Sequence, residues 1–432
     1  MSNFVPSWQL RQRFTFHLSQ MYRDEVPAYG TLVDLVDAIN RNSSAAGARL
    51  GEERHGAIRL ALPEELSFLR RALAILGMQA VGYYDLATAG LPVHSTAFRP
   101  TTAEEIDRNP FRLFVSLIRL DAIGSSRLAK NAEALTRRRN VISPRSLAMV
   151  EQAERNGGLT EREGEDFLDA LVETFRWRGE ALSSRAVYEA LLEEHPLLAD
   201  VACFPNPHIN HLTASVRDID AAQARMLESG LPAKDTIEGP PRRKCPVLLR
   251  QTAFRALGEA VDFPAGGGAV GPGTHTARFG EIEQRGAALT PRGMSLYDEC
   301  LARQDFSAIP DDWDTLRQDG LGWFRFARGP EARPGNPPIS LSDRFDVEPL
   351  IKDGILLAEP IVYEDFLPVS AAGIFRSNLK QGTGPAANSN GSGNRQAFES
   401  ALGAQVIDAQ ALYQEESRRS LASTLRPELL DA

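Results

Sequence analysis

Three short extended segments in the middle of the chain constrain its fold more than any other feature of the sequence. They cover residues 204–216, 246–254 and 274–285. The stretch 220–231, between the first two, carries Ala, Met and Leu at helical spacing. Because strand, helix and further strands follow one another in this order, the sequence predicts an α+β fold whose strands form a sheet.

The first hundred residues add a helix and another strand. Residues 29–40 carry apolar side chains at helical spacing and predict a helix. Residues 54–62 are too few and too interrupted by glycine for a helix, and they end before the helix start at Pro63. This stretch is therefore predicted to be a strand.

Helical signals dominate the next hundred residues. Thr160 and Glu163 form a capping box ahead of an apolar stripe, and Ser143 followed by Pro144 is typical of a second helix start. The chain is thereby predicted to divide into an N-terminal α/β part of the core (1–100), an inserted helical subdomain (101–197), a second strand-rich part of the core (198–300) and a C-terminal segment that contributes to a substrate pocket (301–432).

Charge and hydropathy argue against two classes of function. A net charge of −9 argues against a nucleic-acid-binding surface, and no apolar run approaches the roughly 20 residues that span a bilayer. The first residues have neither the basic start nor the apolar core of a secretory signal, which predicts a cytoplasmic protein. The three cysteines are odd in number and too widely spaced for a metal knuckle, so they are predicted to pack in the interior: Cys203, Cys245 and Cys300.

Two segments are rich in glycine, at 264–273 and 381–394. Glycine-rich loops can bind phosphate, but they do so between a strand and a helix and with defined glycine spacing. Neither segment matches such a fingerprint, so both are predicted to be mobile loops.

The seven histidines are the first candidates for metal or proton chemistry. His17 and His195 fall in helical patterns and His94 lies in a predicted loop, so surface or packing roles suffice for these three. His208 and His211 lie in a segment that its prolines and β-branched residues predict to be a strand, where residues three apart point to opposite faces. Only one of these two can therefore face a given site.

His55 and Arg59 are four residues apart, which places them on one face of a strand or of a helix. A metal-bound imidazole beside a guanidinium is suited to an anionic chelating substrate, because arginine binds a carboxylate through two hydrogen bonds and keeps its charge. An unrelated histidine and a surface arginine explain the spacing equally well.

Glu281 and Glu283 lie two apart in a predicted strand and so share one face, with His275 as well if the strand is unbroken. Two unpaired carboxylates inside a core are costly, so this pair faces either solvent or a cationic partner. Two histidines and one carboxylate would form the facial triad of non-haem iron(II) oxygenases. Spacing alone leaves open which residues converge.

Seven longer motifs are spread along residues 26–375. They are VPAYGTL from Val26, ERHGAIR from Glu53, YYDL from Tyr83, HSTAFRP from His94, HINHLT from His208, TARFGEIEQR from Thr276 and DFLPVSAAGIF from Asp365. Together they resemble the 2-oxoadipate dioxygenase/decarboxylase family. The sequence departs from that family's pattern at Ala214 and Ser215, where Pro-Arg is common.

The resemblance implies a vicinal oxygen chelate-like sheet around a metal site that holds one iron(II), Fe(2+). By motif position, His55, His211 and Glu281 would be the ligands. Glu281 is favoured over Glu283 because it follows the aromatic-glycine pair of the family's strand motif.

The resemblance also implies the substrate contacts and the reaction. Arg59 would bind a substrate carboxylate next to the chelating His55, and Val369 and Ser370 would line the pocket near the substrate's far end. The reaction implied is the oxygen-dependent decarboxylation of 2-oxoadipate to 2-hydroxyglutarate and carbon dioxide, in lysine catabolism. Two alternatives stay open: a divalent-metal isomerase or lyase with the same ligands, and a non-catalytic metal-binding sensor.

Overall fold

The computed structural model describes residues 4–41, 53–87, 90–122, 125–265, 269–332, 347–367 and 392–425. The chain forms two compact units. The first contains Met1–Glu238, Gln251–Gln284 and Phe366–Ile407, and the second contains Gly239–Arg250, Arg285–Asp365 and Asp408–Ala432. Each unit is assembled from separate stretches of chain.

Within the described residues there are eleven strands. They are β1 Glu53–Leu60, β2 Gln79–Asp85, β3 Val93–Arg99, β4 Arg112–Ile118, β5 His211–Ser215, β6 Leu249–Ala253, β7 Gly258–Pro264, β8 Val270–Thr276, β9 Phe279–Arg285, β10 Phe324–Arg328 and β11 Leu356–Pro360. Seven of them form one mixed sheet, and β7–β8 and β10–β11 are separate antiparallel pairs.

The same part of the chain contains fifteen α-helices. They are α1 Ser7–Glu25, α2 Pro27–Arg41, α3 Pro63–Ile75, α4 Ala103–Arg108, α5 Ser126–Thr136, α6 Pro144–Asn156, α7 Glu161–Thr174, α8 Arg185–Glu194, α9 Pro196–Ala202, α10 Ile219–Glu228, α11 Pro291–Arg303, α12 Trp313–Gln318, α13 Glu348–Lys352, α14 Ser392–Leu402 and α15 Ala409–Leu425. None of these helices is long and apolar enough to cross a membrane.

The strand order of the main sheet is β2-β3-β4-β1-β5-β9-β6. β1 runs parallel to β4 and antiparallel to β5, and β5 runs parallel to β9. One row of paired residues crosses four central strands, in the order Arg112, His55, Thr213 and Glu281. Residues paired in this way project from the same face of a sheet.

The two faces of the central strands differ in chemistry, because successive side chains of a strand point to opposite sides. One face packs into the main hydrophobic core with helices α1, α2, α3, α6, α7 and α10, through Ile58, Leu60, Leu113, Val115, Leu117, Leu212, Ala214 and Ile282. The other face carries polar residues that are nevertheless buried: His55, Arg59, Arg112, Ser116, His211, Thr213, Glu281 and Glu283. Buried polar groups need partners, so this second face is where a binding site is expected.

The α+β prediction is confirmed, and so are several of its elements. β1 and α2 occupy the predicted strand and helix of the first hundred residues, and α10 occupies the predicted helix between the extended segments. The backbone N–H of Thr160 donates to Glu163 Oε2 at 2.8 Å in the predicted capping box of α7. The three cysteines are buried free thiols, as predicted.

The helical prediction for residues 101–197 was wrong for β4, Arg112–Ile118, which is a central strand of the sheet. Every residue of β4 is buried. A strand that is covered on both sides lacks a clear polar alternation, so its short apolar run resembles a segment of a buried helix.

Two smaller predictions were also wrong. His94 lies in β3 and is buried, not in a loop. In the first glycine-rich segment, residues 270–273 belong to β8, which pairs with β7, and residues 266–268 lie outside the described residues. Of the second one, residues 381–391 lie outside the described residues, and α14 begins at Ser392.

His94 is predicted to make stability depend on pH in mildly acidic solution. Its ring packs edge-on against Phe398 at 4.7 Å, and burial, helped by the nearby Arg119, lowers the pKa of His94 from 6.5 to about 4. A histidine whose pKa is lowered by folding contributes stability above pH 6.5 that is lost as the pH falls through 4, here up to about 3 kcal/mol.

We expect His94→Asn to remove this part of the pH dependence. Urea unfolding of both proteins between pH 7 and pH 4 measures it. An unchanged dependence of the free energy of unfolding on pH in the variant would contradict the prediction.

Candidate metal centre

Three neighbouring strands bring two imidazoles and one carboxylate together. His55 lies on β1, His211 on β5 and Glu281 on β9, and one potential ligand atom from each lies within 4.8 Å of the other two. All three side chains are at least 95% buried. The structure therefore groups the three residues that the family motifs single out, although they are far apart in sequence.

Sheet register explains why these side chains meet. Thr213 pairs with His55 on one side and with Glu281 on the other, so these three residues lie side by side across the sheet. His211 precedes Thr213 by two residues on β5 and so shares its face. Gly280 precedes Glu281 on the opposite face, where an added Cβ would lie 2.5 Å from the Phe254 ring.

Glu281 and Glu283 lie on the same face but contact opposite sides of the His55 ring. Glu283 Oε2 is 2.9 Å from His55 Nδ1, and its other oxygen is 3.6 Å from a guanidinium nitrogen of Arg112. Glu281 Oε1 is 3.3 Å from His55 Nε2. Because a carboxylate faces Nδ1, that nitrogen carries the proton of the neutral ring and leaves the Nε2 lone pair directed at Glu281.

The arrangement around Nε2 of His55 needs a positive charge. A lone pair and a carboxylate oxygen face one another there, and the Thr213 hydroxyl, 3.0 Å from Nε2 and 3.3 Å from Glu281 Oε1, can donate to only one of them. Among the described residues, neither His211 Nδ1 nor the second oxygen of Glu281 has a hydrogen-bond partner. A proton on His55 would satisfy Glu281 alone, whereas a metal ion would satisfy all three side chains, so the residues fit a bound cation.

His211 is held in the neutral form that binds metals. Burial lowers the pKa of His211 well below its ordinary value, and the positive charges of Arg59 and Lys234 lower it further. Its ring stacks on Phe279, with 4.7 Å between the ring centres. A neutral imidazole with a fixed orientation offers its lone pair without first losing a proton.

Aromatic rings enclose the group. Phe366 packs edge-on against His55 at 4.8 Å, and Phe114 packs against Phe366 at 4.9 Å. With Phe279 on the side of His211, these rings surround the polar atoms with apolar surface. A site of this kind strengthens electrostatic interactions inside it and limits the access of water.

Arg59 lies on the same face of β1 as His55, as its spacing predicts, and it is 4% exposed. Its guanidinium forms an ion pair with Asp200 of α9, and both partners are buried. Asp200 belongs with His208 and His275 to a second buried group whose potential ligand atoms also lie within 4.8 Å of one another.

The second group contains His208 and His275, whose roles sequence reasoning left open. His208 and His211 are both buried but lie in different groups. The predicted strand over residues 204–216 was too long, because β5 begins at His211, so His208 is separated by the preceding loop and not by strand alternation. His275 does not share the face of the two glutamates, because β8 ends at Thr276 and β9 starts again at Phe279.

Several buried polar residues near the site were missed by sequence reasoning. Lys234 lies 3.7 Å from Glu238, and burial, partly offset by that lysine, raises the pKa of Glu238 to about 7. Sequence reasoning also did not identify Asp200, Arg112 and Thr213. No spacing rule connects them with the histidines, and the apolar run of β4 does not single out Arg112. Val369 and Ser370 lie outside the described residues.

A solved structure shares the fold of this chain. A glyoxalase superfamily protein from Ralstonia eutropha has a TM-score of 0.52 with this chain, at 22% identity over 66% of this chain and 85% of that one. The fold is therefore that of the vicinal oxygen chelate proteins, as predicted.

The chain belongs to the 2-oxoadipate dioxygenase/decarboxylase family, whose family model matches residues 14–378. A 2-oxoadipate dioxygenase/decarboxylase from Escherichia coli is 46% identical, over 97% of this chain and 98% of that protein. A protein of the same description from Pseudomonas putida is 43% identical, over 97% of both chains.

A solved structure of a relative is similar to this chain over nearly its whole length. The hydroxyglutarate synthase from Pseudomonas putida, crystallised in complex with 2-oxoadipate, has a TM-score of 0.87 with this chain. It is 40% identical and is matched over 98% of this chain and 100% of its own. The predicted family is confirmed.

Proposed function

We propose that this protein is an iron(II)-dependent enzyme that converts 2-oxoadipate and dioxygen to 2-hydroxyglutarate and carbon dioxide, in the cytoplasm and as a step of lysine catabolism. The observation that carries the proposal is the buried group of His55, His211 and Glu281, in which potential ligand atoms from three strands lie within 4.8 Å of one another. Among the described residues, His211 Nδ1 and one Glu281 oxygen have no hydrogen-bond partner. Two histidines and one carboxylate are the ligand set of non-haem iron(II) oxygenases. The proposed substrate, 2-oxoadipate, is the one that the descriptions of the relatives name.

His55, His211 and Glu281 are the proposed ligands, and Glu283 has a supporting role. By accepting the Nδ1 proton of His55, Glu283 fixes the ring so that Nε2 faces the metal. The choice of Glu281 over Glu283 as ligand rests on this difference in what the two carboxylates contact.

Bound iron(II) supplies open coordination positions for a 2-oxo acid and for dioxygen, and the electrons that activate dioxygen. Arg59 is proposed to bind a carboxylate of the substrate, since its buried guanidinium keeps its charge. Val369 and Ser370 are proposed to line the pocket near the far end of the substrate, by family motif alone. The enclosing rings of Phe366 and Phe279 keep water from the reacting carbon.

The overall reaction balances without another reductant. One oxygen atom of dioxygen enters the carboxylate formed at the former keto carbon when carbon dioxide leaves, and the other enters the new hydroxyl group. Oxidative decarboxylation supplies two of the four electrons that the reduction of dioxygen requires, and oxidation of one carbon–hydrogen bond to the new hydroxyl group supplies the other two. No co-substrate besides the 2-oxo acid and dioxygen is needed.

Stoichiometry with and without oxygen tests the proposal. Anaerobic addition of 2-oxoadipate to the iron(II)-loaded protein is expected to give a chelate absorption band. Air should then release one carbon dioxide and one 2-hydroxyglutarate for each dioxygen consumed. The zinc-loaded protein serves as the control, since zinc has no redox chemistry.

Turnover of 2-oxoadipate without oxygen would favour an isomerase or a lyase. An iron-loaded protein that consumes no oxygen with any 2-oxo diacid would rule the proposed function out.

A further inference from the structure

The second buried group has the composition of a metal site but a different pattern of hydrogen bonds. Asp200 Oδ1 lies 3.0 Å from His208 Nε2 and 2.9 Å from His275 Nε2. Its other oxygen accepts from the Arg59 guanidinium and from the Asn210 amide, the latter at 3.3 Å. One carboxylate therefore receives four donors.

These contacts use the lone pairs that a metal would need. Each Nε2 faces the carboxylate and so carries its ring's proton, since a lone pair there would be repelled. His275 Nδ1, the other nitrogen of that ring, lies 2.9 Å from the Tyr188 hydroxyl and accepts its proton. In the described part of the structure, His208 Nδ1 has no partner, and a single lone pair does not make a metal site.

Charge also separates this group from the first one. Burial alone would raise the pKa of Asp200, but the positive charge of Arg59 and the hydrogen bonds from His208 and His275 outweigh burial and hold that pKa well below its ordinary value. Burial lowers the pKa of His208, which keeps that ring neutral. The carboxylate is ionised and its charge is balanced by Arg59, so a further divalent cation would be placed against a guanidinium.

We propose that Asp200, His208 and His275 bind no metal, and that Asp200, fixed by the two imidazoles, is the positioning residue that orients Arg59 for the carboxylate of the 2-oxo acid. This inference rests on the proposed function, in which Arg59 binds the substrate. A long guanidinium side chain loses rotamer freedom when it binds a ligand, and an immobile carboxylate partner removes most of that loss beforehand.

The rigidity of the cluster supports this role. Trp177 packs edge-on against His208 at 4.7 Å, and Phe204 packs against His275 at 4.6 Å. Both imidazoles are therefore held by ring contacts as well as by Asp200, and the carboxylate between them has little room to turn.

Titration of the anaerobic iron(II) protein with 2-oxoadipate tests the proposal in Asp200→Asn. We expect the Kd to rise by about tenfold or more, because a charge-assisted hydrogen bond to Arg59 is lost. Loss of a negative charge alone would strengthen the binding of a dianion. A higher Kd would therefore show that Arg59 has lost its orientation. An unchanged or lower Kd would overturn the proposal.

A double-mutant cycle separates positioning from a merely structural role. Arg59→Met should weaken binding by a larger factor, and adding Asp200→Asn to Arg59→Met should change the Kd little further. Factors that multiply in the double variant would show that Asp200 acts independently of Arg59. His275→Gln removes one of the two imidazole contacts and should raise the Kd by a smaller factor, which provides a test if Asp200→Asn does not fold.

Metal content is the other arm of the experiment. The wild-type protein and His275→Gln should each retain one iron per chain. Two ions in the wild type and one in the variant would make this group a second metal site and overturn the proposal.

The control is Glu105→Gln, which removes the carboxylate 3.1 Å from the buried guanidinium of Arg11, far from Arg59 in sequence. Its Kd should match that of the wild type. A wild-type protein that does not bind 2-oxoadipate would refute the proposed function itself. Normal binding by the wild type and equally tight binding by Asp200→Asn would refute only the positioning role.

Discussion

His211→Ala is expected to abolish the retention of iron(II) and to lower oxygen consumption with 2-oxoadipate by roughly a thousandfold or more. The variant removes one of three proposed ligands. Among the described residues His211 Nδ1 has no hydrogen-bond partner to lose, but the variant also loses the stacking of the ring on Phe279. Iron content after gel filtration and oxygen uptake measure the two effects, and circular dichroism checks the fold.

The matched control for this variant is His208→Ala. His208 lies three residues earlier, is equally buried and contacts Asp200 instead of the proposed metal ligands. We expect His208→Ala to retain its iron. If His208→Ala lost the metal and His211→Ala kept it, the proposed ligand set would be wrong.

The second large effect is expected from a pair of substitutions on β9. Glu281→Gln should lose iron as His211→Ala does, because an amide oxygen replaces the only anionic ligand. Glu283→Gln should keep iron with an affinity about 10–100-fold weaker, since its amide oxygen still accepts the Nδ1 proton of His55 but no longer carries a charge.

Competition with a chelator of known affinity measures both variants. The two side chains are two residues apart, equally buried and on one strand, so each serves as the control of the other. The opposite order of iron affinities would assign the ligand role to Glu283. Equal losses would indicate that both carboxylates contact the metal.

Local patterns in the sequence were sufficient to predict the strands that carry the candidate metal ligands. The glycine-interrupted segment around His55 was predicted to be a strand, and the parity of His208 and His211 separated two histidines that the structure places in different groups. The strand around His55 was predicted correctly because its length and glycine content report on the local backbone. The separation of His208 from His211 has another cause, since β5 begins at His211 and His208 precedes it. β4 was missed because burial on both faces hides the alternation of polar and apolar side chains.

What the sequence by itself determined about this protein is which side chains share a face of one element, together with the family that its motifs resemble. Only the tertiary structure decided which elements are neighbours. The order β1-β5-β9 brings His55, His211 and Glu281 together, and α9 brings Asp200 to an arginine 141 residues away. The physical reason is that strand pairing and helix packing are long-range interactions, whereas periodicity reports only on the local backbone.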